Sequence, residues 1–289
     1  MSYPFLKGHG TENDFVLLPD HDGSVHGDLS AQRVRALCDR RAGIGADGVL
    51  RVIRERGRED PTKSERSGRS ETEASSLARW PDTDDLPEWF MDYRNADGGI
   101  AEMCGNGIRL FARHLYDEGL VPADEPVRIA TRSGVKVLTR DGDLLTADLG
   151  EAQIHGETKV SVGDRSWPAL HVVVGNPHAV VMVDDLAEAG SLHDEPTYDE
   201  SLYPDGVNVE FVVRRGPDHI AMRVHERGSG ETRSCGTGAC AAAIAAAPEG
   251  PGRWRVDVPG GTLRVSRDEA GHVFLTGPAV IVARGRTDV

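Results

Sequence analysis

Basic residues are scarce: 33 lysines and arginines face 47 aspartates and glutamates in 289 residues, a formal net charge of −14. Nucleic-acid backbones are held by clustered Lys and Arg, so this balance excludes nucleic acid as the main partner and leaves a small zwitterionic ligand compatible. No apolar run is long enough to cross a bilayer, and the opening Met-Ser-Tyr-Pro-Phe-Leu-Lys-Gly lacks the apolar core of a secretory leader. No membrane is expected as a partner, and the expected location is cytoplasmic. Only four cysteines occur, none in a Cys-x-x-Cys pair, which excludes a disulfide framework and a cysteine-pair metal site. Free thiols and no metal are expected. Gly43-Ile44-Gly45-Ala46-Asp47-Gly48 is too short and wrongly spaced for a dinucleotide fingerprint. Aromatics are sparse at 5%, yet 38% hydrophobic residues suffice for globular cores.

Against these absences stands one repeated motif. Cys235-Gly236-Thr237-Gly238 opens directly into the helix-forming run Ala239-Cys240-Ala241-Ala242-Ala243-Ile244. A helix start presents unpaired N–H groups and partial positive charge, so it binds carboxylates and favours a thiolate at neutral pH. The run is apolar on every face and is expected to be buried all round, with Cys240 as packing. Upstream, Cys104-Gly105-Asn106-Gly107 repeats the arrangement ahead of a second helix. A lone cysteine reads first as a small buried hydrophobe; two Cys-Gly-polar-Gly helix starts point to an internal duplication with a reactive thiol in each half.

The length favours two domains. Ser30 to Arg40 has helical spacing, with Ser30 as N-cap and Val34, Leu37 and Cys38 on one face. Residues 54–88 are rich in Arg, Glu, Asp, Ser and Pro, and read as a solvated, flexible insertion in the first domain. Strands are expected at Val49 to Ile53, Trp89 to Tyr93, Val127 to Thr131, Val135 to Thr139 and Leu144 to Leu149. In the second half they are expected at Leu170 to Val174, Ala179 to Val183, Val207 to Phe211 and Ile220 to His225, with more from Arg253 on. The turn Gly175-Asn176-Pro177-His178 sits there much as residues 8–14 sit in the first half. Asn13 alone reads as a turn residue, and Asn208 projects from the strand face opposite the valines.

Taken together, Gly8-His9-Gly10 with Asn13-Asp14-Phe15, Asn95-Ala96-Asp97-Gly98, Met103 to Gly107, Gly175 to His178, Val207 to Phe211, Glu226-Arg227-Gly228, Gly230-Glu231-Thr232 and Cys235 to Gly238 resemble the diaminopimelate epimerases, cofactor-independent amino-acid epimerases. The blocks follow family order across nearly the whole chain. The resemblance implies an α+β fold of two pseudo-symmetric domains, each a mainly antiparallel β-barrel around a central buried helix, with the site in the cleft between them. It implies a first domain of residues 1–147 plus 278–289 and a second of 148–277. No cofactor is implied, and the partner is a small-molecule substrate, diaminopimelate. Departures are Glu12 for a usual Gly, Gly99 for a frequent Ser, and Gly48 where some relatives have Gln; residues 54–88 are also longer than usual. A homodimer is compatible, with Ala283 where some relatives carry an interface aromatic.

Inverting a carbon next to a carboxylate without a cofactor takes a base on each face, and the resemblance makes Cys104 and Cys235 that thiolate and thiol pair. It implies that Gly105, Asn106, Gly236 and Thr237 offer N–H groups to the α-carboxylate, stabilising the charge that develops there. It implies that Asn13, Asn95, Asn176, Asn208 and Arg227 surround the distal ammonium and carboxylate. Glu226 belongs to the same shell and, with His178, tunes the thiols; the plainer roles are turn stabilisation for His178 and an ion pair with Arg227 for Glu226. The function so implied is interconversion of LL- and meso-diaminopimelate, serving lysine and cell-wall precursor biosynthesis. Two rivals stay open: a proline or hydroxyproline racemase, and a redox-sensing or thiol-binding protein that joins Cys104 and Cys235 in a reversible disulfide.

Overall fold

The computed structural model describes residues 2–54, 86–247 and 249–289. The expected insertion at 54–88 thus lies, for residues 55–85, outside the described residues. The first half contains β1 (Tyr3–Gly10), β2 (Asn13–Pro19), α1 (Ala31–Cys38), β3 (Gly48–Arg54), β4 (Trp89–Asn95), α2 (Gly105–Asp117), β5 (Val127–Thr131), β6 (Gly134–Asp141) and β7 (Leu144–Glu151). The second contains β8 (Gln153–Val162), β9 (Arg165–Val174), β10 (Asn176–Met182), a 3-10 turn at Leu186–Ala189, β11 (Asn208–Gly216), β12 (His219–Glu226), β13 (Gly230–Thr232), α3 (Gly236–Ala246), β14 (Gly252–Val258), β15 (Gly261–Arg267) and β16 (His272–Pro278). The last strand, β17 (Val280–Thr287), returns to pair antiparallel with β1.

The duplication is visible in the strand pairing. In the order β17, β1, β2, β3, β4, β5, β6, β7 the neighbours pair antiparallel except β2 with β3 and β4 with β5. The order β8, β9, β10, β11, β12, β14, β15, β16 repeats this sequence of senses, with β10–β11 and β12–β14 parallel. The halves join edge to edge through the antiparallel pair β7–β16. Each run wraps a helix: α2 packs on β1, β2, β3, β4, β7 and β17, and α3 on β9, β10, β11, β12, β14, β15 and β16.

Local sequence explains the elements. Ser30 caps α1 by accepting from the Arg33 N–H at 3.3 Å, and α1 buries Val34, Leu37 and Cys38. In α3 the alanines favour helix and are thin enough for strands to close around every face; only Ala245 is not fully buried. The turn from β1 to β2 holds Thr11 and Glu12 at φ 48° and 62°, the left-handed pair that matches a two-residue hairpin to strand twist. Thr11 Oγ1 lies 2.6 Å from Ser234 Oγ, and Glu12 pairs with Arg233. The turn is therefore tied to the segment that delivers Cys235.

Candidate active site

Both thiols are N-caps. Cys104 (φ −139°, ψ 121°) and Cys235 (φ −117°, ψ 119°) have extended backbones that turn sulfur back over the first helical turn. The Cys104 Sγ accepts from the Gly107 N–H at 3.4 Å, and the Cys235 Sγ from the Gly238 N–H at 3.3 Å. Sulfur here takes the place of the usual capping oxygen. The two helix starts touch: a Cβ on Gly105 would lie 3.2 Å from the Cα of Gly236, and a Cβ on Gly236 would lie 3.0 Å from the Asn106 nitrogen. A side chain at either position would force the two helix starts apart.

A cavity of about 50 Å³ lies at this junction. Its walls include Cys104, Gly105, Cys235, Gly236, Thr237, Asn95, Asn176, Asn208, Glu226 and Arg227, all expected from the sequence. Tyr93, Ala101, Glu102, Met103 and Ser229 also line it and were not named as site residues; Met103 opens a recognised block, Glu102 precedes it and Ser229 lies between two others, which was the available signal. Three expected residues stand behind the wall. Asn13 donates to Asp47 at 2.8 Å and accepts from the Asn106 Nδ2 at 3.2 Å and from the Cys104 thiol at 3.6 Å. Asn106 is fully buried, its Nδ2 also donating to the Ser234 carbonyl at 3.0 Å. His178 Nδ1 lies 2.7 Å from Glu210 Oε1, both fully buried. Glu210 is the neighbour of these residues that sequence reasoning missed. It stands two residues after Asn208, on the same strand face, and a Cβ on Gly238 would meet its Oε1 at 2.5 Å, at the start of α3.

The electrostatics correct one expectation. Burial, followed by the charge of Glu226, pushes the Cys104 thiol up to about 12, against the pull of the Gly107 and Asn106 N–H groups and Arg109. Burial, Glu226 and Glu210 also push Cys235 well above the usual thiol range, against Thr237 and the Gly238 N–H. The helix starts lower both thiols as expected, but loss of water outweighs them. Burial likewise raises Glu226 to about 7, moderated by the Thr232 hydroxyl that donates to it. The alternative ion pair between Glu226 and Arg227 is not formed among the described residues. Arg227 donates instead to the Asp205 carbonyl at 2.9 Å, and its backbone N–H donates to Asn208 Oδ1 at 3.0 Å. Asn176 and Asn208 donate to the Met103 and Pro177 carbonyls, each at 3.4 Å. All four cysteines are free thiols, and no cluster of metal-ligating side chains occurs among the described residues.

Solved structures share this fold, two of which illustrate it. A PhzF-family phenazine biosynthesis protein from Bacillus anthracis superposes with a TM-score of 0.66 at 14% identity over 100% of both chains. A hydroxyproline epimerase from Agrobacterium vitis, solved with trans-4-hydroxy-L-proline, gives 0.65 at 14% identity over 99% of this chain and 92% of its own. The class is thus the duplicated epimerase-like fold with a helix at the centre of each half. Within it, the diaminopimelate epimerase family profile matches residues 83–155 and 170–282. The diaminopimelate epimerase of Streptomyces coelicolor is 51% identical over 297 aligned positions, covering 98% of this chain and 95% of the relative. This chain belongs to the diaminopimelate epimerase family, and is an isomerase.

Proposed function

We propose that the chain interconverts LL- and meso-diaminopimelate by two-base proton transfer between Cys104 and Cys235, and so serves lysine and cell-wall precursor biosynthesis. The observation that carries this reading is the pair of sulfur-capped helix starts meeting on one cavity. One thiolate takes the α-proton, leaving the C–H electron pair on the α-carbon and its carboxylate. The partner thiol then gives its proton to the opposite face, and the reverse reaction exchanges the roles. The N3 amides are occupied by the sulfurs, so the N–H groups of Gly105, Asn106, Gly236 and Thr237 remain to hold the carboxylate as it gains charge. Asn95, Asn176, Asn208 and Arg227 take the distal ammonium and carboxylate, while Asn13, Asn106 and His178 support them from behind the wall. Glu226 and the His178–Glu210 pair set the charge around the thiols.

A cavity of about 50 Å³ is far below the roughly 300 Å³ at which ligand pockets begin, so binding parts the two halves and closure excludes water. The proposal includes domains of 1–147 plus 278–289 and 148–277, and a cytoplasmic location, where free thiols persist. A homodimer finds support in the exposed Val280 and Val282 on β17. The test is chiral analysis of products from LL-diaminopimelate, meso-diaminopimelate, L-proline and trans-4-hydroxy-L-proline under reducing conditions. Turnover of the two diaminopimelate isomers alone is expected. Inversion of either proline substrate without diaminopimelate would transfer the site to the proline-type alternative.

A further inference from the structure

Arg109 is fully buried in α2, one turn behind the Cys104 cap. Its Nη1 donates to the Gly105 carbonyl at 3.0 Å and its Nη2 to Asn106 Oδ1 at 2.8 Å, while its Nε has no partner. No carboxylate pairs with it among the described residues. The fold nevertheless makes room for it, since a Cβ on Gly10 would lie 3.0 Å and one on Gly277 3.2 Å from Nη2. A buried guanidinium without a counter-ion is costly, and breaking the duplicated pattern to install one calls for a reason. The equivalent position in α3, fourth after the first helical glycine, is Cys240.

Among the described residues the ionisable groups that would act on Arg109, when deprotonated, are two thiols: Cys104 at the start of its own helix and Cys240 on α3. From the other elements around it, β1 offers Gly10 and β16 offers Gly277, both uncharged. Burial lowers Arg109 to about 10, so it keeps its charge at neutral pH. At Cys235, among the described residues, the strongest charges are carboxylates instead: Glu226 and Glu210, the latter against the His178 ring.

Resting on the two-thiol reading above, we propose that Arg109 is a positioning residue of the Cys104 half-site. Its guanidinium fixes the first turn of α2 through Gly105 and Asn106, and supplies from behind that turn the positive charge against which the Cys104 thiolate forms. The duplicated halves are therefore chemically unequal, with a guanidinium behind the Cys104 turn and Cys240 at the equivalent position of the other half.

The experiment is alkylation by iodoacetamide at a fixed pH of about 8, where the rate tracks the small thiolate fraction, followed separately on the Cys104 and Cys235 peptides by mass spectrometry. It uses the full chain and its Arg109→Met and Arg109→Lys variants. In the unmodified protein Cys104 should react faster than Cys235. Arg109→Met should slow Cys104 about tenfold or more and leave Cys235 unchanged, and Arg109→Lys should restore most of the rate. A folded Arg109→Met protein with an unchanged Cys104 rate overturns the proposal. So does an unmodified protein whose Cys235 reacts as fast as Cys104 or faster, which needs no variant to fold. Failure of the unmodified chain to epimerise diaminopimelate would instead count against the functional reading, because the thiol rates are read without substrate.

Discussion

Gly105 and Gly236 meet backbone to backbone: a Cβ on the first would sit 3.2 Å from the Cα of the second, and both positions are closed from another side by Leu275 Cδ2 at 2.8 Å. This contact sets how far apart the two capping sulfurs stand. Gly236→Ala must push α3 away from α2, costing about 1 to 3 kcal/mol of stability by overpacking. The displaced thiol should lower kcat/KM by roughly a hundredfold. Urea unfolding and steady-state kinetics check both, and a variant of unchanged activity would show that the spacing is not critical.

The raised Glu226 carboxyl predicts a pH dependence of stability. The folded chain holds its proton up to about pH 7, whereas the unfolded group releases it near 4.5. Between these values the native state binds more protons, so stability falls as pH rises through this window and the loss is complete above it. The Glu226 contribution should approach about 3 kcal/mol. Glu226→Gln should remove that part of the slope, read as the difference in urea midpoints between pH 4.5 and pH 8 for the two proteins. Parallel profiles would contradict the raised carboxyl.

Arg227 lies on the cavity wall with its guanidinium on a backbone carbonyl and no carboxylate partner among the described residues. It is available for a carboxylate at the far end of a ligand, where its fork binds in bidentate fashion. Arg227→Ala should reduce kcat/KM for diaminopimelate about a hundredfold or more, the loss of a charge-assisted pair. Slow α-proton exchange of a monoacid such as L-alanine should change little. Equal losses on both would remove Arg227 from substrate selection.

Much of this site could be read from the chain because its chemistry is local. A Cys-Gly-polar-Gly start needs only a few neighbouring residues to make an N-cap, and its repetition marked both helices and the duplication. Strand β8 escaped notice because its first half, Gln153-Ile154-His155-Gly156-Glu157, is exposed throughout, so no period-two apolar pattern exists there to find. Glu210 escaped because its partner His178 lies on a neighbouring strand, brought near by the parallel pairing of β10 and β11. The contacts of Asn13 with Asp47, Asn106 and Cys104 were not legible because only folding brings those residues together. The direction of the thiol shifts was misjudged for a related reason: a helix start is visible in sequence, and the depth of burial around it is not.

The most direct test of the central claim is α-proton exchange from LL-diaminopimelate in heavy water under reducing conditions, with the unmodified chain, Cys104→Ala and Cys235→Ala. The account predicts deuterium at the α-carbon with formation of the meso isomer by the unmodified chain, and loss of epimerisation by at least a thousandfold in either variant, since one missing base leaves one face without proton transfer. Epimerisation that survives either substitution, or fully reduced protein that exchanges no α-proton, would contradict the two-thiol mechanism.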